Sequence, residues 1–238
     1  MTSAPRTARA RARAEITSEI IRVARVQLSE VGPAELSLRA VARELEMVSS
    51  AVYRYFPSRD HLLTALLIEA YDELGEAVEA ADAAVTDRSK FGRRIIAIAR
   101  ATRSWAVDHP HDYALLYGSP VRGYVAPQAT VAPASRVTTA LITVIAESGV
   151  DGARPPVEIT PFPRPLHTGI AGARAFTAEL VGSSPDDETL MRGLMTWTTI
   201  FGALSFELFG HYVNGVVDYP AFFDGVLTRL IVDLGIDS

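Results

Sequence analysis

The run from Ser37 to Arg59, SLRAVARELEMVSSAVYRYFPSR, constrains the fold more than any other stretch of the chain. Val41, Ala42 and Leu45 recur at helical spacing, and Ser37 stands where it can cap the first turn. Glu46-Met47-Val48 interrupts that pattern. Ser49 to Phe56 resumes it, with Val52 and Phe56 four residues apart on an inward face and Ser49, Ser50, Tyr53 and Tyr55 on an outer one. Pro57 ends this second helix, and Ser58 with Asp60 begins the next. Two short helices joined by a tight turn form the arrangement that lays its second helix in the major groove of DNA.

The rest of the chain reads as helix throughout, so the fold class is all-α. Ile16, Ile20, Val23, Ala24 and Leu28 mark a first helix from about Glu15 to Val31, stopped by Gly32-Pro33. Leu62, Leu63, Leu66, Leu67, Ala70 and Leu74 mark a longer one from about Ser58 to Ala81. Further helices are expected over residues 89–109, 112–117, 133–148 and 173–181. Two stronger ones follow, one opened by Pro185-Asp186-Asp187-Glu188 and running to Val213, the other opened by Pro220. Residues 149–172 hold five prolines and four glycines and read as a long loop. The domains are then residues 1–14 as a basic disordered arm, 15–60 as a DNA-binding head, and 61–238 as a body.

Charge sharpens this division. The chain as a whole carries a net charge of −5, which alone argues against a nucleic-acid partner. Residues 1–60, however, hold ten arginines against seven acids, a net +3. Residues 61–238 hold thirteen basic residues against twenty-one acids, a net −8. A basic head on an acidic body suits a localised phosphate-contacting surface.

At Leu38-Arg39-Ala40-Val41-Ala42 and Ala51-Val52-Tyr53-Arg54-Tyr55-Phe56-Pro57-Ser58-Arg59 the chain resembles the DNA-binding domain of the TetR family of bacterial repressors. Tyr53, Tyr55, Phe56 and Arg59 fill that family's signature, and the close match covers about Ile16 to Ala70. Weaker similarity around Trp105, His109-Pro110 and Trp197–Gly202 points to an actinobacterial subgroup. Two positions depart from the family pattern. Glu46 stands where the family has a left-handed glycine, at a cost of about 1 kcal/mol if the turn is kept. Val48 replaces the serine that often caps the second helix, which shifts the expected cap to Ser49.

The candidate DNA contacts are Arg39, Ser49, Ser50, Tyr53, Arg54, Tyr55 and Arg59. The resemblance implies the role of Arg39, whose guanidinium can reach phosphate or guanine; the alternative is a pair with Glu35. Ser49 and Ser50 bring hydroxyls and amides to a helix start, and Tyr53 and Tyr55 bring phenol donors. Arg59 opposes the dipole of its own helix, which a phosphate partner would explain. The arm Arg6–Arg13 is either a minor-groove tail or a solvated one.

In the resembled fold the body encloses a mainly apolar effector pocket, and Trp105, Tyr113, Tyr117, Trp197 and Phe201 are the candidates to line it, core packing being the alternative. Small residues Gly193, Gly202, Ala203 and Gly210 suit close approach of a second copy, hence a homodimer through the last two helices. The five histidines lack helical metal spacing, no nucleophile triad or phosphate loop occurs, and no cofactor or metal is expected. There is no cysteine, no leader-like apolar core, and no apolar stretch that reads as a membrane span, so a cytoplasmic protein is expected. The expected function is a ligand-responsive repressor, with double-stranded operator DNA and a small effector as partners. The competing reading is a helical enzyme or lipid carrier with a vestigial head.

Overall fold

Strand-like alternation is missing from the sequence, and the computed structural model is all-α; it describes residues 8–150, 152–153, 164–182 and 185–237. Eleven α-helices run through the described residues: α1 (Ala8–Val31), α2 (Leu38–Glu44), α3 (Ser49–Val52), α4 (Arg59–Ala83), α5 (Phe91–Asp108), α6 (Pro110–Tyr117), α7 (Val131–Val150), α8 (Arg164–Gly169), α9 (Ala171–Val181), α10 (Asp187–Leu208) and α11 (Tyr219–Asp233). They form two compact units, the first from residues up to Tyr71 with His109–Pro133, the second from Asp72–Asp108 with Ala134 onward. The unit boundary therefore falls inside α4 rather than at residue 60, and the first unit recruits α6 from beyond α5.

The first unit is built on one apolar cluster. Ile20, Val23, Ala24 and Leu28 of α1 meet Leu38, Val41 and Ala42 of α2, Val52 of α3, and Leu62, Leu63 and Leu66 of α4. Each Val, Leu or Ile among them contributes about 1.5–3 kcal/mol when fully buried. Leu115 carries α6 into the same cluster. Beside it Arg25 of α1 lies 3.6 Å from Asp112 of α6 and 3.9 Å from Glu69 of α4. Tyr71, Tyr113 and Tyr117 stack nearby, with ring centroids 6.2 and 5.1 Å apart, and burial pushes the Tyr117 phenol far above its ordinary pKa.

α1 starts at Ala8, not at Glu15. The segment Ala8–Ala14 alternates two of the best helix formers, alanine and arginine, so the helix propagates backward through it. The arm is therefore helical over residues 8–14; residues 1–7 lie outside the described residues.

The second unit has a core of Ile95, Ile98, Leu141, Ile200, Leu204, Phe223, Leu227 and Ile231. Arginine–carboxylate pairs hold its helices together. Arg94 is 2% exposed and reaches Asp82 at 2.8 Å and Glu147 at 2.5 Å, joining α4, α5 and α7. Burial works to raise the Asp82 pKa, but the hydrogen bonds from Arg94 and Arg88 hold it below the usual aspartate value. Arg136 of α7 grips Asp72 and Glu79 of α4 at 3.0 and 2.7 Å. Its guanidinium crosses Gly75, where a Cβ would come within 2.5 Å of Arg136 Nε. That contact explains a glycine in mid-helix, which otherwise costs about 1 kcal/mol against alanine.

One expectation fails on composition. The stretch Gln128–Gly149, mean hydropathy 1.4, is long and apolar enough to cross a membrane. Four of its apolar residues, Val137, Leu141, Val144 and Ile145, are buried in the core of the second unit. Two boundaries also move. α10 ends at Leu208 rather than Val213, because Gly210 turns left-handed at φ 77°. Within the proline-rich stretch, Arg164–Gly169 forms a short helix and α9 starts at Ala171; residues 154–163 lie outside the described residues.

Candidate functional site

The site begins with how α2 stops. Ser37 caps its start, its hydroxyl accepting from the Ala40 amide at 3.4 Å. At the other end the Met47 amide donates to Ala42 O at 2.8 Å and the Glu46 amide to Arg43 O at 3.1 Å. This pair of bonds is a Schellman closure, which requires a left-handed residue between the two donors' carbonyls and the onward chain. Glu46 takes that conformation at φ 53°. The turn geometry is kept, and glutamate is strained into it.

α3 is shorter than expected. Its α-helical bonds span Ser49–Val52; Arg54 then donates to Ala51 O and Tyr55 to Val52 O, three residues back, while the Phe56 amide shares Val52 O, four residues back. Pro57 disfavours α backbone at Phe56, so the segment ends there. The cap falls on Val48, which offers no side-chain acceptor, and Ser49 is already inside the helix. The expected cap at Ser49 is thus replaced by an uncapped start, with Val48 71% exposed.

Of the seven candidate contacts, Arg39, Ser50, Tyr53 and Arg54 are exposed and close together in sequence on α2 and the α3 segment. Arg39 forms no ion pair with Glu35 or any other described residue, so the competing reading of that arginine lacks its partner. Ser49 is half-buried. Tyr55 turns partly inward against the head core. Its ring is covered by the Arg13 guanidinium at 4.9 Å, and Arg13 also donates to Arg54 O at 3.5 Å. The inward Val52 and Phe56 do not force both flanking tyrosines outward: Tyr55 packs toward Arg13 of α1.

Arg59 has an internal role. Its Nη2 donates to Pro33 O at 2.5 Å and Ala34 O at 3.2 Å, holding the short 3-10 turn Pro33–Glu35 onto the start of α4. This supplies the partner that the unfavourable helix position demanded, and it is a backbone carbonyl pair within the head. Arg43 lies outside the seven candidate contacts, and Arg13 enters the expectations only as part of the arm Arg6–Arg13. Arg43 is exposed on α2, four residues from Arg39, a spacing readable in the sequence. Arg13 depends on the helical extension of α1, signalled only by its alanine–arginine composition.

The five candidate pocket aromatics do not surround one space. Tyr113 and Tyr117 belong to the first unit and pack with Tyr71. Trp105 is a core residue of the second unit, 6% exposed. Phe201 is buried and stacks on Trp197 with centroids 6.0 Å apart. Trp197 alone of the five lines an apolar cavity of the second unit, with Ile142, Ile145, Leu190, Leu194 and Thr177 among its neighbours. The open volume is about 30 Å³, room for one or two waters. Helix packing of α7, α9 and α10 decided this, and periodicity along each helix does not report it.

Comparison with known proteins agrees with these features. The family model described as "Bacterial regulatory proteins, tetR family" matches residues 20–66, and "Tetracyclin repressor-like, C-terminal domain" matches residues 95–230. The chain is 41% identical over 225 residues to the HTH-type transcriptional regulators Rv1816 of Mycobacterium tuberculosis and Mb1846 of Mycobacterium bovis, covering 93% of this chain and 92% of each relative. Among solved structures it is similar to the regulatory protein SCO4313, with a TM-score of 0.76, 28% identity, and 96% and 99% of the two chains covered. A tetR-family regulatory protein from Rhodococcus RHA1, at 15% identity and TM-score 0.63 over 93% and 98% of the chains, shares the fold.

Proposed function

The chain belongs to the TetR family of bacterial transcriptional regulators, and from that premise we propose that it is a cytoplasmic, ligand-responsive repressor acting as a homodimer. As a family member it is a DNA-binding regulator and not an enzyme. In the proposed complex each head lays the segment Ser49–Tyr55 in a major groove of one operator half-site, and the two-fold of the dimer matches a palindrome. The observation that carries this reading is the exposed group Arg39, Ser50, Tyr53 and Arg54 around a preserved helix-turn-helix closure. Arg39 is assigned to a base edge or phosphate, and Tyr53, Arg54 and Ser50 to phosphates. Ser49, Tyr55 and Arg59 have smaller parts: Ser49 starts the helix, while Tyr55 and Arg59 chiefly position it.

The proposed dimer uses α10 and α11. Met195, Phe206 and Phe209 lie exposed along α10 and its end, and Phe222 and Val232 along α11. An added Cβ at Gly202 meets nothing within 4 Å, so a partner helix can approach there. Gly193 and Ala203, also expected at the seam, are buried inside the second unit, which leaves Gly202 and Gly210. A self-complementary face of this kind suits a two-fold contact.

For release, an effector must bind the DNA-free form more tightly by the factor it weakens DNA binding. α4 is continuous through both units and is the proposed carrier of that coupling. The test is fluorescence anisotropy with the DNA upstream of the protein's own gene. Sub-micromolar, salt-sensitive binding by a dimer, reduced by a small apolar compound, is expected. Absence of binding at low salt would overturn the regulator reading, and tighter binding with the compound would make it a co-repressor.

A further inference from the structure

Three buried hydroxyls among the described residues are satisfied locally. Thr102 donates to Ile98 O at 2.9 Å, Thr130 to Pro127 O at 2.8 Å and Ser148 to Ile145 O at 2.8 Å. Thr177 on α9 differs. It is fully buried, yet its Oγ1 has no hydrogen-bond partner among the described residues, not even the carbonyl one turn back that threonine usually takes in a helix. A buried polar atom left unpaired destabilises the fold, so such atoms call for an explanation.

Thr177 lines the apolar cavity of the second unit. Most of the other walls are hydrocarbon or aromatic, from Ile145, Leu190 and Trp197 among others, and Thr138 and Thr189 add the remaining hydroxyl-bearing side chains. None of the described lining residues carries a charge. A carboxylate or ammonium entering this space would lose its hydration and find no counter-charge. A neutral molecule would lose little, and one hydroxyl or carbonyl on it could pair with Thr177. Trp197, 36% exposed, is the wall that faces solvent, and a ligand larger than the present open volume must displace it.

We propose that this cavity is the binding site for a neutral, mainly apolar small molecule whose single hydroxyl or carbonyl group is held by Thr177 Oγ1. This rests on the effector reading above and specifies its chemistry: uncharged ligands are admitted and fatty-acid-like anions are rejected.

The test uses the full chain and matched probes, 1-octanol and octanoate, titrated by calorimetry with tryptophan emission followed in parallel. Octanol is expected to bind at least about tenfold more tightly than octanoate, as expected for an uncompensated buried charge. Thr177→Val, which keeps the shape and removes the hydroxyl, should weaken octanol about fivefold, the equivalent of one net hydrogen bond. Thr177→Ser should restore it. Without ligand Thr177→Val should melt higher than the parent, since it removes the unpaired group. Octanoate binding as well as octanol, neither binding, an unchanged octanol affinity in Thr177→Val, or a lower melting temperature for that variant would each overturn the site. Those failures leave the DNA-binding reading intact. Octanol binding with all these signatures but no effect on operator affinity would uphold the site and remove its role as the switch.

Discussion

Arginine is used differently in the two units. In the second, Arg94, Arg100, Arg103, Arg136 and Arg192 each hold one or two carboxylates from other helices or turns of the same unit, while Arg93 and Arg229, far apart in sequence, stay exposed without an ion pair among the described residues. In the first, Arg25 and Arg59 are also engaged internally, but Arg39, Arg43 and Arg54 have solvent-facing guanidinium groups with no partner among the described residues. The same residue type thus does two jobs. Paired arginines fix helices against each other, and unpaired ones clustered on one helix-turn-helix present charge to something outside the chain. The whole-chain charge conceals this distinction, because the acids that outnumber the bases lie mostly in the body.

The largest expected effect breaks the structural side of the comparison. Arg94→Ala removes the buried guanidinium shared by Asp82 and Glu147, though Arg88 still pairs with Asp82 and Glu147 stays half exposed, and should lower unfolding stability by about 3 kcal/mol. Denaturant unfolding measures it; a loss below 1 kcal/mol would mean that Arg94 is no more structural than the head cations. The converse holds on the other side. Arg39→Ala should leave stability within about 0.5 kcal/mol while reducing discrimination at its base pair by roughly 1–3 kcal/mol, read from operator variants in a binding titration.

A smaller effect sharpens the comparison at the level of backbone. The α10 end closes as α2 does, the His211 amide donating to Phe206 O and the Gly210 amide to Glu207 O, but with glycine in the left-handed position. Glu46→Gly would give α2 the same chemistry and should stabilise the head by about 1 kcal/mol, with tighter DNA binding from the lost negative charge. A lower melting temperature would show that glutamate makes a compensating contact. The smallest effect is one of pH. The Asp82 pKa lies below its ordinary value of 3.8 because its arginine hydrogen bonds outweigh burial. Its contribution is therefore present above that value and lost as pH falls through it toward the folded-state pKa. Asp82→Asn should flatten the acid limb of stability measured by thermal melts between pH 5 and about pH 2.

How far the sequence carried the fold depends on the range of the physics involved. The helix-turn-helix was legible because its signals are local: a cap at Ser37, periodic apolar residues, and a turn whose left-handed position is filled by Glu46. The start of α1 was legible too, in Ala8–Ala14, had propensity been weighed above the clustered charge. Long-range choices were not. Tyr55 meets Arg13 across 42 positions of chain, Arg59 meets Pro33 across 26, and neither pairing leaves a mark in periodicity. The aromatic residues proposed for a pocket were correctly helical and mostly buried, but which unit each joined was decided by packing. The hydroxyl of Thr177 gave no sequence signal at all, since its meaning lies in a missing partner.

The measurement that tests the central claim most directly is the salt dependence of operator binding for head and body variants side by side. Each phosphate neutralised by a cation adds about 0.9 to the slope of log affinity against log salt. Arg54→Ala should therefore reduce the slope by about 1 and weaken binding to every DNA sequence alike. Arg100→Ala, which breaks the exposed pair with Asp224 at 2.9 Å in the second unit, should leave both slope and affinity unchanged. Equal slopes for the parent and Arg54→Ala, or a slope lowered by Arg100→Ala instead, would contradict the assignment of the unpaired head cations to DNA.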